Sequence, residues 1–204
     1  MITGEEQYRK WVVDYVDAWM QRTDDNGGII PSNIGLDGTI GGAADGNWWG
    51  GCYGWGFTVT VPQTGQQANR PACYSRAHYG FGHGLLLTGD SSYVDTWRGV
   101  LDKVNENAKQ EDGQTVYPHM HGADGWYDFR PHPFSPGAHD IWYWSQLDSD
   151  RQRIAGDKWV PFLEGDNPDY PEAELDRGLA QVRDRMSRIA ADHTFPYTRL
   201  SDDR

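Results

Sequence analysis

The chain has 204 residues, a formal net charge of −12 and a hydrophobic fraction of 37%. This length predicts one domain that can bury a sizeable core. The mean hydropathy of −0.77 leaves no apolar run long enough for a membrane span. Acidity without a basic stripe argues against binding to nucleic acid. We therefore expect a protein with no nucleic-acid partner and no membrane partner.

Cys52 and Cys73 are the two cysteines of the sequence, so a disulfide framework does not hold the fold together. A single bridge would require an oxidising compartment and two sulfurs that meet, and the sequence leaves both conditions open. The polar N-terminus, MITGEEQYRK, shows no signal peptide.

Four stretches have helical character. Residues 5–22 carry apolar side chains three and four apart, and TDDNGG at residues 23–28 supplies the turn formers that end this helix. Helical character returns at residues 73–88, continues in a helix to about residue 107, and reappears at about residues 172–191. The apolar stripes of the first, third and last helices are Tyr8, Trp11, Val12, Tyr15, Val16 and Trp19; Tyr93, Trp97, Val100, Leu101 and Val104; and Leu175, Leu179, Val182, Met186 and Ile189. We expect the stripes of the third and last helices to lie in the core.

A short reversal motif recurs before a tyrosine. Its copies are Thr3-Gly4-Glu5 before Tyr8, Thr88-Gly89-Asp90 before Tyr93, and a looser Glu164-Gly165-Asp166 before Tyr170. Such a repeat indicates a supersecondary unit that must stack on its neighbours, here an αα-hairpin. We expect Gly89 to take the left-handed cap position and Asp90 or Ser91 to cap the next helix.

The repeat predicts an all-α fold of antiparallel αα-hairpins in a single helical domain, residues 1–204. The motif at the start resembles half a hairpin, so we expect the chain to be part of a longer helical array, with the remaining part as its partner. Because the short reversals lie at one end of the bundle, the long connections at residues 24–71 and 109–136 must lie at the other end. Antiparallel geometry therefore places these two loops side by side.

The first long connection contains a glycine-rich aromatic stretch, residues 33–57. Frequent glycines exclude helical or strand periodicity and allow close approach of the backbone to a ligand. Indole and phenol rings offer apolar faces with a polar edge, which suits a sugar ring. The alternative is an ordered loop whose tryptophans plug the end of a helical core. The aromatic residues of this stretch are Trp48, Trp49, Tyr53 and Trp55.

The second long connection and the residues after it, up to position 144, are rich in groups that exchange or hold protons, or that polarise anions. These residues are His119, His121, Tyr127, Arg130, His132 and His139, with Trp126 among them. His119 and His121 would share a face if they lie on a strand. With His132 or His139 they could ligate zinc, but no cysteine cluster or HExxH spacing supports a metal. We expect no cofactor.

The histidines at positions 78 and 83 lie on the second predicted helix, where we expect both to be hydrogen-bonded packing residues rather than catalytic groups. Most loop aspartates are expected to form turns. A glycosidase would need two of them on opposite sides of the scissile bond, for example Asp37 and Asp124.

The TGD-type reversals resemble those of the α/α-toroid carbohydrate-active proteins. Within that group, Asn47-Trp48-Trp49 is similar to the aromatic patch of the hyaluronate and chondroitin lyase family. Asp112-Gly113, followed by His119 and Tyr127, is similar to that family's Asp-Gly, His and Tyr arrangement. The resemblance implies that the hairpins form part of an (α/α) toroid with two long irregular loops at one end.

The resemblance also implies a polysaccharide lyase that cleaves a uronic-acid-containing glycan by β-elimination. Asn33, Asn47 or Arg130 would polarise the uronate carboxylate. His119 or His121 would act as base, with Tyr127 as base or acid. Such a partner favours a periplasmic or secreted location. Trp48, Trp49 and Trp55 would form the sugar platform, and the further substrate-binding residues would be Asn33, Tyr53 and Trp126.

Two further functions remain open. A glycoside hydrolase on the same scaffold would use loop carboxylates, perhaps Asp37 and Asp124. A non-catalytic glycan-binding segment would keep its sugar affinity when His119, His121 and Tyr127 are all lost.

Overall fold

A computed structural model describes residues 4–51, 55–56, 58–60, 67–69 and 76–191. Groups of helices and pairs of short strands follow one another along this part of the chain. The helices are α1 (Glu6–Asp25), α2 (Ala77–Thr88), α3 (Ser92–Asn105), α4 (Ala138–Ser145), α5 (Asp148–Arg153), α6 (Trp159–Glu164) and α7 (Tyr170–Ala191). The strands are β1 (Thr58–Thr60), β2 (Gln67–Asn69), β3 (Lys109–Glu111), β4 (Gln114–Val116), β5 (Met120–Gly122) and β6 (Gly125–Tyr127). No helix of this described part is both long and apolar enough to cross a lipid bilayer.

The chain divides into two compact units. The first holds α1 to α5 and the strands β3 to β6, and the second holds the β1–β2 hairpin with α6 and α7. Within the first unit, α2 packs against α1, α3 and α4, and α3 also contacts α1. The second unit contains the pairing of Thr58 with Asn69 that opens the β1–β2 hairpin.

The prediction of an all-α fold is wrong. The described strands pair into three two-stranded antiparallel sheets, so the fold is mixed α/β, and the described helices do not show a toroid. The β3–β4 hairpin has a local cause, because Asp112 and Gly113 both adopt positive φ (49° and 77°) between the paired residues Glu111 and Gln114. Asp-Gly with this geometry matches the twist of antiparallel strands. The second predicted loop is therefore built largely of hairpins.

Helix α3 provides the centre of the first unit's core. All five apolar residues of its predicted stripe are buried, and Trp97, Val100, Leu101 and Val104 are at most 1% exposed. Each such side chain contributes about 1.5–3 kcal/mol when it is fully removed from water. The Trp97 indole also donates a hydrogen bond to the carbonyl of Pro136 (2.9 Å). The predicted stripe of this helix is confirmed.

The reversal between α2 and α3 has the predicted geometry. Gly89 is left-handed (φ 78°) and its N–H donates to Leu85. The Asp90 carboxylate accepts a hydrogen bond from the N–H of Ser92 (2.9 Å). The Tyr93 hydroxyl then donates to Asp17 of α1 (2.7 Å), and this bond raises the pKa of Tyr93 to about 12. The reversal therefore fixes α3 against α1.

The apolar stripes of the first and last helices differ from that of α3. On α1, Val16 is buried, whereas Trp11 and Tyr15 are 61% and 64% exposed. No residue of α7 is buried, so the prediction that its stripe forms core is wrong. Periodicity identifies the apolar face of a helix, but it does not identify what covers that face.

A buried ion pair joins α3 to α5. Asp150 is 0% exposed and accepts hydrogen bonds from Arg98 (2.7 Å at the shortest) and from the Ser145 hydroxyl (2.5 Å). Burial alone would raise the pKa of Asp150, but the bonds from Arg98 and Ser145 outweigh it and hold the pKa below its ordinary value. The carboxylate is therefore charged and fully engaged.

Candidate functional site

Asn33 ties together the aromatic loop that follows α1. Its two amide hydrogens are donated to the carbonyls of Asn47 (3.0 Å) and Gly50 (3.1 Å). Its side-chain oxygen accepts the N–H of Ala43 (3.0 Å). Because the Asn33 carboxamide makes all three of these hydrogen bonds with the loop backbone, Asn33 holds the loop in its conformation. The expectation that it contacts a ligand gains no support from this geometry.

Trp55 lies beneath the loop as a core residue. It is 0% exposed, and its indole nitrogen donates to the carbonyl of Ile30 (2.9 Å). Its backbone N–H donates to the hydroxyl of Ser32 (2.9 Å). Its ring also lies 5.6 Å from that of Trp126 and 5.4 Å from that of Phe134. Trp55 is therefore a core residue that supports the rings packed against it. Tyr53, predicted to bind substrate, lies outside the described residues, as do Cys52 and Cys73.

Four partly exposed rings from the two loops meet above Trp55, and we call them the aromatic cluster: Trp48, Trp49, His121 and Trp126. The ring of His121 is centred 4.5 Å from Trp48, 5.0 Å from Trp49 and 4.8 Å from Trp126. Trp48 and Trp49 meet edge to face at 5.7 Å. The prediction that the two loops lie side by side is confirmed.

The β5–β6 hairpin determines which second-loop residues enter this cluster. His121 is paired across the strands with Trp126, and Met120 is paired with Tyr127. Side chains alternate between the two faces of a hairpin, so His121 and Trp126 share one face and Tyr127 lies on the other. Met120 is 0% exposed, whereas Tyr127 is 37% exposed. The hairpin thus separates Tyr127 from the proposed base His121.

The imidazole of His121 is neutral near pH 7. Burial lowers its pKa from the ordinary value of 6.5. Its Nδ1 atom is buried and has no hydrogen-bond partner among the described residues. A neutral ring between indoles can stack, and its Nε2 can donate or accept a hydrogen bond.

His119 lies deeper, outside the aromatic cluster. It is 7% exposed, and its Nε2–H donates to the carbonyl of His132 (3.2 Å). Its ring packs edge to face on Phe134 (5.6 Å). Burial is the largest influence on His119 and lowers its pKa. These contacts are those of a packing residue.

The charged candidates of the two loops are engaged locally. Arg130 forms an ion pair with Asp128 (2.6 Å). Asp37, on an exposed turn, accepts the N–H of Thr39 (3.0 Å), and this bond lowers the pKa of Asp37. Asp124 lies in the exposed β5–β6 turn. No group of three or more metal-ligating side chains occurs among the described residues.

His78 forms a pair with Asp140 that the sequence did not indicate. His78 is 3% exposed, and its Nε2 lies 2.8 Å from the carboxylate of Asp140, which joins α2 to α4. Burial is the dominant effect and lowers the pKa of His78, although Asp140 opposes it. The packing role predicted for His78 is confirmed, whereas His83 on the same helix is exposed. A separation of 62 residues left no local signal of the pair.

A cavity of about 450 Å³ lies next to the segment that accepts the hydrogen bonds of Trp55. Tyr15 and Trp19 of α1 and Phe81 of α2 line it, together with Ile30 and Ser32, which also accept the two hydrogen bonds of Trp55. The first unit therefore has an apolar recess next to the segment on which Trp55 is fixed.

Fold and site together define a mixed α/β protein whose helical unit carries an aromatic cluster on two loops. Residues 1–117 and 155–202 match the family described as a domain of unknown function, DUF8034. This match covers well over half of the chain, so the protein belongs to that family. It includes Trp48 and Trp49 but omits residues 118–154, and therefore His121 and Trp126. No curated protein and no solved structure matches the chain.

Proposed function

We propose that the protein binds a polysaccharide or oligosaccharide at the aromatic cluster. One observation carries the proposal: three partly exposed tryptophans from two separate loops surround the neutral ring of His121. Indole faces stack on the C–H faces of pyranose rings, and a rigid aromatic side chain loses little entropy on binding. Trp55, buried and hydrogen-bonded beneath, would hold the indoles in place without a ligand.

Polar groups near the cluster would form hydrogen bonds with the sugar hydroxyls. Asn47 directly precedes Trp48, and its side-chain carboxamide makes no hydrogen bond to another described residue. This amide can donate and accept hydrogen bonds, as can the neutral imidazole of His121 through Nε2. Tryptophan faces with a few placed polar groups are typical of ligand sites.

The binding experiment compares tryptophans inside the aromatic cluster with one outside it. Trp126→Ala and Trp48→Ala each remove one ring from the cluster, and Trp11→Ala removes a 61% exposed ring from α1 as the control. Calorimetric titration with a panel of neutral and uronate-containing oligosaccharides should show an affinity loss of about tenfold for each cluster variant. Trp11→Ala should bind as the wild type does. Equal losses in all three variants, or no binding to any sugar of the panel, would contradict the proposal.

Lyase chemistry on a uronate polymer is a second candidate, favoured by the neutral imidazole of His121 within the cluster. Tyr127, on the other hairpin face, and Arg130, paired with Asp128, lend it no support. A rise in the absorbance of unsaturated uronate that disappears in His121→Phe would favour the lyase. Sugar binding without such a rise would favour binding alone.

A hydrolase that uses Asp37 and Asp124 gains no support, because Asp37 is engaged in its own turn.

A further inference from the structure

The longest helix, α7, has an exposed apolar stripe. Leu175 is 62% exposed, Leu179 41%, Val182 51% and Met186 64%. A helix of 22 residues with no buried side chain gains little from tertiary packing, which normally supplies most of the stability of a helix. Such a contiguous stripe is typical of an interaction surface.

The spacing of this stripe indicates the shape of its partner. Successive members are four, three and four residues apart, and Ile189 continues the series. This is the alternation of a and d positions in a heptad, with Leu179 and Met186 at a and Leu175 and Val182 at d. A helix that packs on a globular core usually has a wider apolar face. The narrow seam therefore fits a second helix.

The charges beside the seam favour one orientation of that helix. Asp176 and Arg183 occupy successive e positions and form no ion pair with a described residue, whereas Arg177 is paired with Glu174 (2.6 Å) on the other side of the helix. Two turns separate Asp176 from Arg183, too far for a bond within the helix. In an antiparallel pair of identical helices, however, each e position faces the e position of the other helix. Asp176 of each copy would then face Arg183 of the second copy.

A parallel pair would not use these charges. There, e positions face g positions, which in α7 are Pro171, Gly178 and Arg185. Arg183 would meet Gly178, which has no side chain. Charge complementarity therefore favours the antiparallel arrangement.

We propose that α7 pairs with α7 of a second copy of this chain as an antiparallel two-helix coiled coil. Leu179 packs against Val182 of the second copy, and Leu175 packs against Met186. Two symmetric Asp176–Arg183 pairs flank these layers and set the orientation. The proposal is independent of sugar binding, because no residue of the aromatic cluster takes part.

The first test measures the mass of the full chain by sedimentation equilibrium over a concentration series. We expect a reversible dimer. Leu179→Lys should abolish it, and Gln181→Lys, with the same charge change on the other face, should preserve it. Because Leu179 is already 41% exposed, its replacement should leave the chain folded, and circular dichroism of each variant checks this. A chain that stays monomeric, or a dimer that survives Leu179→Lys, overturns the proposal.

The second test addresses orientation by charge exchange. Asp176→Arg or Arg183→Asp alone places like charges opposite each other twice, and should raise the dimer dissociation constant about tenfold. The double variant Asp176→Arg/Arg183→Asp restores both pairs with reversed polarity, and its dissociation constant should return to near the wild-type value. Failure of the double variant to recover excludes the antiparallel pairing.

Discussion

The ring centroids of His121 and Trp48 lie 4.5 Å apart, with their planes inclined by 38°. Trp48 lies in the loop after α1 and His121 lies in the β5–β6 hairpin, so this contact joins the two long connections of the first unit. Because the cross-strand partner of His121 is Trp126, the hairpin presents two rings together. The aromatic cluster is thus assembled by strand pairing and loop packing rather than by either loop alone.

Acid should destabilise the protein before its carboxylates titrate. Burial lowers the pKa of His78, His119 and His121 from 6.5. As pH falls through 6.5, the unfolded chain binds protons that the folded chain does not, so stability is greatest above 6.5 and falls towards acid. Each histidine lowers the free energy of unfolding by at most about 1.4 kcal/mol for each pH unit of acidification.

Urea unfolding of wild type and His121→Phe at pH 7 and pH 5 tests this prediction. The variant should lose less stability over this range, because one of the three histidines no longer takes up a proton on unfolding. His83→Phe, at an exposed position of α2, is the control and should lose as much as the wild type. Equal losses for His121→Phe and wild type would show that His121 does not carry this pH dependence.

Replacing Asn33 should loosen the aromatic loop. Asn33→Ala removes two part-buried hydrogen bonds, to Asn47 and Gly50, and an exposed one from Ala43, and should cost about 2–3 kcal/mol of unfolding free energy. Asn107→Ala, which removes one exposed bond to Lys103, is the control and should cost under about 1 kcal/mol. Denaturant titration measures both. A loss in Asn33→Ala no larger than that of the control would show that the loop does not depend on this carboxamide.

Two glycines of α2 should respond oppositely to alanine. A Cβ on Gly82 would collide with the indole of Trp144, so Gly82→Ala should destabilise by about 1–3 kcal/mol. A Cβ on Gly80 meets no described atom within 4 Å, so Gly80→Ala should stabilise by about 0.5–1 kcal/mol through helix propensity. Thermal unfolding of the two variants gives the signs directly. Stabilisation by both substitutions would mean that α2 and α4 are not in close contact.

Removing the buried carboxylate of Asp150 should strongly lower the free energy of unfolding. Asp150→Ala leaves Arg98 without its buried partner and should cost about 3–5 kcal/mol. Asp184→Asn, in an exposed pair with Arg188, should cost under about 0.5 kcal/mol. The comparison uses urea midpoints at neutral pH. Similar costs for the two substitutions would indicate that water reaches Asp150.

Local sequence signals determined much of the backbone. Apolar spacing located α1, α3 and α7, and Gly89 identified the reversal, because helix formation and capping depend on residues a few positions apart. The β3–β4 hairpin also has a local signal in Asp112-Gly113, and Asp112 lies in a turn, as expected for most loop aspartates. The side-by-side position of the loops followed from antiparallel helix geometry.

Tertiary structure decided the role of each side chain. Trp48 and Trp55 come from one glycine-rich stretch, yet Trp48 is partly exposed and Trp55 is fully buried. The rings of Trp126 and Phe134 pack against Trp55, and Ile30 accepts the hydrogen bond of its indole. His119 and His121 are two residues apart and have different surroundings. Burial depends on what packs over a side chain from distant parts of the chain. The sequence alone located the four longest helices, α1, α2, α3 and α7, and long-range packing determined which aromatic and imidazole rings remained at the surface.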